Sequence, residues 1–252
     1  MAPRIKVLQL TTAALNAALY AAIGLLTYLG VFAPIVGVVR FWGLAVVVPA
    51  VFAALFGPIV GGVGASIGIF LSDMAVHGNA LLSLCVGVPA NYVMFYLIGY
   101  FSAKNVSSKL TNLILGVGSF FLVLIFAARW YLGGEMDLLT ALIFIIFCSV
   151  SLLVLVVVNR FWPEWRNYSL GSIVGNAWGS AIVGIGVWAF SQFFTLPLNY
   201  GRQLPLSAAI IWFVWTFSNQ MPFLLILGPP ILTACYKALP SVRTVIDGRS
   251  QR

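Results

Sequence analysis

Apolar residues do not alternate with polar ones along this chain; they run in blocks, broken by short polar or Gly/Pro-rich stretches. Crossing the roughly 30 Å hydrocarbon layer of a bilayer takes about 20 helical residues. At that length the blocks divide the sequence into eight predicted helical segments, over residues 8–29, 41–56, 60–76, 81–101, 113–132, 138–158, 170–194 and 206–236. The second and third are short and meet at Gly57-Pro58, so they read either as two spanning helices or as one hairpin re-entering from one side. No long linker, low-complexity tract or soluble module interrupts the series. The expectation is an all-α, polytopic transmembrane bundle in which residues 1–252 form one integral membrane domain.

Composition explains why the blocks must sit in lipid. The chain is 62% hydrophobic and 7% charged, whereas an ordinary soluble domain is about half apolar and about a quarter charged. A charged side chain at the bilayer centre costs roughly 2.5–3.5 kcal/mol on insertion scales, so charges collect in loops and at helix ends. Arg4 and Lys6 before an apolar stretch have the look of a signal peptide, but the run 8–29 exceeds the usual apolar core of such peptides, and a retained first helix is predicted.

The net charge of +8 comes from 13 Lys and Arg spread singly between apolar runs. They form no patch for nucleic acid and act as a topology signal. One side of the eight-crossing arrangement collects Arg4, Lys6, Lys104, Lys109, Arg160, Arg166, Lys237, Arg243, Arg249 and Arg252; the other holds only Arg40, Arg129 and Arg202. Because cytoplasmic loops carry the excess, both termini are placed in the cytoplasm, and Asp73, His77 and Asn79 face outward with the loops around Arg40 and Arg202.

Several chemistries fall away. There is no G-x-x-x-x-G-K-[ST] phosphate loop, and five acidic residues supply no cluster for magnesium or a proton relay. One histidine, scattered methionines and three cysteines far apart (Cys85, Cys148, Cys235) do not make a transition-metal site, and no cofactor is implied. Gly64-Ala65-Ser66-Ile67-Gly68 fits the G-x-S-x-G of serine hydrolases. His77, however, lies eleven residues along the same predicted helix, about 16 Å away by helical rise, beyond a nucleophile–base hydrogen bond. No catalytic residue is assigned, and the chain is not expected to be an enzyme.

What remains is a set of aromatic and amide side chains in the outward halves of the helices, suited to holding a flat organic molecule by stacking and a few hydrogen bonds. The candidates are Asn79, Asn91, Trp188, Gln192, Tyr200, Trp212, Trp215 and Asn219; an interfacial aromatic belt with amides bonding between helices is the alternative. Trp212, Trp215 and Asn219 share a helical face just before Pro222, where a kink is allowed. Arg40, in the outward loop leading to the second segment, is placed to meet an anionic group, or is an ordinary solvated arginine. In the first segment Ala13, Ala17 and Ala21 run beside Ala14, Ala18 and Ala22, a strip that admits close approach of another helix, either within this chain or from a separate subunit. Gly57/Gly61, Gly64/Gly68 and Gly171/Gly175/Gly179 read as packing within the chain.

Taken in order, the alanine strip, Val39-Arg40-Phe41, Leu55-Phe56-Gly57-Pro58-Ile59-Val60-Gly61-Gly62, Ile67-Gly68-Ile69-Phe70-Leu71-Ser72-Asp73 and the stretch 87–91 resemble the N-terminal half of the S components of energy-coupling-factor (ECF) vitamin transporters. The end of the last segment, from Met221-Pro222 to Gly228-Pro229-Pro230, is similar more weakly. The resemblance implies a substrate-binding membrane subunit of a prokaryotic plasma membrane. Such a subunit captures a small vitamin-like compound from outside and delivers it by toppling when a transmembrane coupling subunit and two cytoplasmic ATPases act on it. It also implies that the alanine strip is the docking face, in either of its two registers. The family usually has six spanning helices, so the hairpin over 113–158 reads as an insertion. A self-sufficient secondary carrier, a class that often shows internal repeats and midplane charges not seen here, and a non-transporting membrane assembly subunit are the alternative classes.

Overall fold

The computed structural model describes residues 2–29, 42–104, 107–132 and 138–238. Arg40 and the C-terminal basic residues Arg243, Arg249 and Arg252 lie outside them. Eight helices carry the described chain: α1 (Ala2–Tyr28), α2 (Val47–Phe56), α3 (Pro58–Val76), α4 (Ala80–Ser102), α5 (Ser108–Leu132), α6 (Leu138–Phe161), α7 (Arg166–Phe193) and α8 (Ser207–Ala238). Five spans, Val7–Tyr28 within α1, α3, α4, Pro163–Phe193 ending in α7, and α8, are long and apolar enough to cross a membrane. No strand occurs among the described residues, and the chain is a multi-pass helical membrane protein.

Helix boundaries follow local chemistry. Gly57 sits between α2 and α3 at φ 102°, ψ 171°, a conformation essentially closed to other residues, and Pro58 opens α3 with its ring already at a helical φ. α2 has ten residues, about 15 Å of rise, which is half of a spanning length. Asn79 starts α4: its Oδ1 accepts the Leu82 backbone N–H at 2.9 Å. Pro222, Pro229 and Pro230 all lie inside α8, and the helix runs through them without a break. The kink allowed at Pro222 is therefore not used to end the helix.

Six helices, α1, α2, α3, α4, α7 and α8, pack on one another, and the main buried cluster joins Tyr20 of α1, Phe95 and Ile98 of α4, and Met221, Leu224 and Leu225 of α8 to the walls of α2. α5 packs chiefly on α6, and α6 on α8, so this pair lies to one side of the six. Small residues set the seams, as expected where helices associate by fit. A Cβ at Gly64 or Gly68 would stand 2.8 Å from the carbonyl oxygens of Ala13 and Ala17 on α1. Gly171, Gly175 and Gly179 lie along Ile98, Met94 and Ala90 of α4, where a Cβ at Gly175 would be 2.5 Å from the Met94 carbonyl. Two buried amides clamp neighbours: Asn16 Nδ2 donates to the Val60 carbonyl at 3.2 Å, and Asn176 Nδ2 to the Phe217 carbonyl at 2.8 Å.

Candidate functional site

The ends of α3 and α7, the starts of α4 and α8, and the connection between α7 and α8 surround a cavity of about 240 Å³. Its walls are mostly aliphatic, with aromatic rings from Trp42, Tyr200 and Trp212 and polar groups from Asp73, His77, Asn91, Thr216, Asn219 and Gln220. A concave, mainly apolar space with a few convergent polar groups is the usual form of a small-molecule site.

Each polar group is held by its own helix chemistry. Asn91 is fixed at both ends of its amide. Its Oδ1 accepts the Tyr20 hydroxyl at 2.8 Å, that hydroxyl accepts Trp42 Nε1 at 2.8 Å, and Asn91 Nδ2 donates to the Gly87 carbonyl at 2.9 Å. Asp73 is received by a π-helical stretch in α4, Ser83–Gly87, a local widening that is common at functional sites. Ser83 Oγ donates to Asp73 Oδ2 at 2.6 Å, and a Cβ at Gly87 would stand 2.8 Å from the same oxygen, so the carboxylate lies where only glycine leaves room. His77 Nδ1 accepts the Asn79 backbone N–H at 3.1 Å, which leaves the ring proton of the neutral imidazole on Nε2, 3.5 Å from Asp73 Oδ1. On α8, Asn219 Nδ2 donates to the Trp215 carbonyl at 2.7 Å. Asn219 Oδ1 and Gln220 Oε1 are buried and have no hydrogen-bond partner among the described residues. Leaving such an acceptor unsatisfied costs about 1–3 kcal/mol.

The connection 194–206 closes one end of the cavity with Leu196, Pro197, Leu198 and Tyr200. Leu196 and Gly201 form a single β-bridge, and Leu198 holds φ 59°, which for leucine costs roughly 1–3 kcal/mol. Ser191 and Gln192 at the end of α7 restrain it: the Ser191 carbonyl accepts Gln203 N–H at 2.7 Å, and Gln192 Nε2 donates to the Leu204 carbonyl at 3.0 Å.

Of the residues singled out in the sequence, the structure brings Asn91, Tyr200, Trp212 and Asn219 to this cavity. The others serve different ends. Asn79 caps α4 and holds His77; Gln192 and the Trp188 carbonyl belong to the end of α7 and its tie to the connection. Trp215, 4% exposed, is not on the cavity wall, although Trp212, Thr216 and Asn219 on the same side of α8 are. Arg40 falls outside the described residues. Trp42, Thr216 and Gln220 were not legible as wall residues; Thr216 carried a signal, being four residues after Trp212.

The two alanine registers of α1 separate cleanly. Ala13 and Ala17 are buried against α3, whereas Ala14, Ala18 and Ala22 are exposed, flanked by exposed Leu10, Leu15, Leu19 and Leu26. Ser66, in the hydrolase-like motif, donates to the Val88 carbonyl at 3.3 Å, and its flanking Gly64 and Gly68 are contact points for α1.

No protein-family model matches the chain, and no solved structure matches it. Among curated proteins it is similar to the C5a anaphylatoxin chemotactic receptor 1 of Oncorhynchus mykiss, at 30% identity over 166 residues, 59% of this chain and 45% of that receptor. The chain thus spans less than half the length of this curated relative, and the similarity assigns it no family.

Proposed function

We propose that the chain is the S component of an ECF-type importer in a prokaryotic plasma membrane, a non-enzymatic subunit that captures a small vitamin-like compound from outside. The observation that carries this reading is the cavity at one end of the six packed helices, with aromatic walls and pre-positioned amides. The side position of α5 and α6 supports treating 113–158 as an addition to a six-helix core. With an even number of crossings both termini are cytoplasmic, and the cavity opens to the exterior. Docking on the coupling subunit, itself driven by two ATPases, uses Ala14, Ala18 and Ala22, the register that α3 leaves uncovered. A tagged pull-down from the native membrane, with mass spectrometry of proteins and small molecules, tests this. Recovery of a polytopic partner with ATPases and a bound compound is expected; purification alone and empty, under conditions preserving other complexes, overturns it.

The similarity to the trout receptor favours a second reading, a membrane receptor that senses its ligand without importing it. Uptake of the identified compound into vesicles carrying the reconstituted complex separates the two.

A further inference from the structure

We propose that a side space between α5 and α7 holds one acyl chain of an anionic phospholipid, whose phosphate rests on Lys109 and Arg166 at the end of those helices. The lipid is a resident of the bundle and not the compound held in the polar-edged cavity.

The space, about 640 Å³, has a deep wall and an open one. Cys148 and Ser151 of α6 and Val214 of α8 form the deep wall and are buried. Leu113 and Val117 of α5 and Trp178 of α7 line it as well, yet they are 61%, 46% and 59% exposed, so the space opens sideways between α5 and α7, where the surroundings are lipid. α5 packs chiefly on α6 and leaves this gap beside α7. Packed interiors keep few voids larger than a water molecule. In a bilayer the surrounding hydrocarbon chains reach such an opening without desolvating a polar group, and each methylene that enters makes contacts that an empty wall lacks. The described wall is aliphatic and aromatic, and the Ser151 hydroxyl on it donates to the Phe147 carbonyl of its own helix at 2.7 Å. Small-molecule sites place a few polar groups to orient their ligand; a plain hydrocarbon chain asks for none.

Charge at one end of the space selects the headgroup. Arg166 Nη1 donates to Ser108 Oγ at 2.9 Å, so a guanidinium bridges the starts of α5 and α7. By helical rise Arg166 stands about 10 Å beyond Ile173 on the α7 wall, and the exposed Lys109 about 6 Å beyond Leu113 on the α5 wall. A phosphate at that level places the upper methylenes of its lipid at the mouth of the space. Lys104, Arg160 and Lys237 stand at the same end, where Trp165 stacks on Tyr236 and Gly171 meets Phe101, with Glu164 as the acid among the described residues there. The sequence beyond residue 238 adds Arg243, Arg249 and Arg252 against Asp247. Basic residues between spanning helices at one membrane face bind anionic headgroups, and an arginine can give a phosphate two hydrogen bonds at once.

The test uses the full chain in vesicles of equal parts phosphatidylglycerol and phosphatidylcholine, with brominated acyl chains on one lipid or on the other. Bromine quenches tryptophan on contact, and the part of the quenching lost in Trp178→Phe reports on the space. Brominated phosphatidylglycerol is expected to quench Trp178 as if enriched roughly fivefold over phosphatidylcholine, the preference that one headgroup cation supplies. Lys109→Gln and Arg166→Gln should each lower that preference, as should molar salt; Lys109 is exposed, so its variant keeps the fold if the Arg166 variant does not. Ala177→Phe fills the space and should bring the two lipids to parity. Equal quenching by the two lipids in the unaltered chain, or a preference for phosphatidylcholine, overturns the proposal. A phosphatidylglycerol preference that survives Lys109→Gln, or that survives Ala177→Phe, places the lipid elsewhere and overturns it as well. None of these measurements involves the coupling subunit or the polar-edged cavity, so they stand or fall apart from the importer reading.

Discussion

Two faces of α7 show how differently one helix can be used. Along one face Gly171, Gly175 and Gly179 bring its backbone onto the carbonyls of α4, and the seam ends at the wall of the polar-edged cavity. Along another, Ile173, Val174, Ala177, Trp178 and Ala181 line a second space of about 640 Å³ toward α5 and α6. The described wall of that space has almost no polar group; the Ser151 hydroxyl on it is already bonded to the Phe147 carbonyl at 2.7 Å. The first face has no slack because backbone meets backbone, which does not yield. The second is bounded by side chains that can change rotamer, so shape there is loosely specified.

The sharpest way to break this comparison is to put a side chain into the tight seam. Gly175→Leu has the Met94 carbonyl in its way and should lower stability by about 3 kcal/mol or more, read as a large drop in thermal midpoint in detergent. Gly116→Ala on α5, where an added Cβ meets nothing within 4 Å, should leave the midpoint unchanged or raise it; equal losses at both sites would erase the distinction.

Next in size is the pair of alanine registers. Ala17→Leu should destabilise the chain itself by about 1–3 kcal/mol, because Ala17 lies against Gly68. Ala18→Leu, on the open face, should leave the thermal midpoint alone and weaken co-purification of the coupling subunit; normal recovery would take that face out of the interface.

A smaller effect is expected at the site. Trp212→Ala removes an aromatic wall and should weaken binding of the compound recovered with the protein by about 1 kcal/mol, roughly fivefold. Trp215→Ala should cost stability and leave affinity nearly intact, since its ring is buried away from the cavity. Titration of both variants by calorimetry decides which tryptophan meets the ligand. The smallest effect should come from Ala177→Leu, which projects into the second space and should shift stability by no more than about 0.5 kcal/mol.

Much of the architecture was legible because its causes are local. Block lengths of apolar residues located the eight helices with ends within six residues, Gly57-Pro58 marked the break between α2 and α3, and the spacing of Gly171, Gly175 and Gly179 announced a close seam. The site was legible only in part, because a wall is assembled from helix rotations that one sequence does not display. Trp212 and Trp215 are equally aromatic and three residues apart, yet the rotation of α8 places one at the cavity and buries the other. Gln192 has the chemistry of a ligand contact, and the position of Leu204 makes it a tether. Asp73 was legible only as an outward-facing polar residue, because the π-helical stretch that receives it leaves no mark in apolar periodicity.

The turn at Gly57 carries a consequence for how the chain is made. Helix α2, ten residues long within an apolar block over 41–56, falls short of the about 20 residues that a span released into lipid by itself takes. Its partition into the bilayer is therefore deferred until α3, which follows after a single residue, has left the ribosome, and the two integrate as one event. The order of synthesis thus keeps α2 at the translocon until the helix it packs against has arrived.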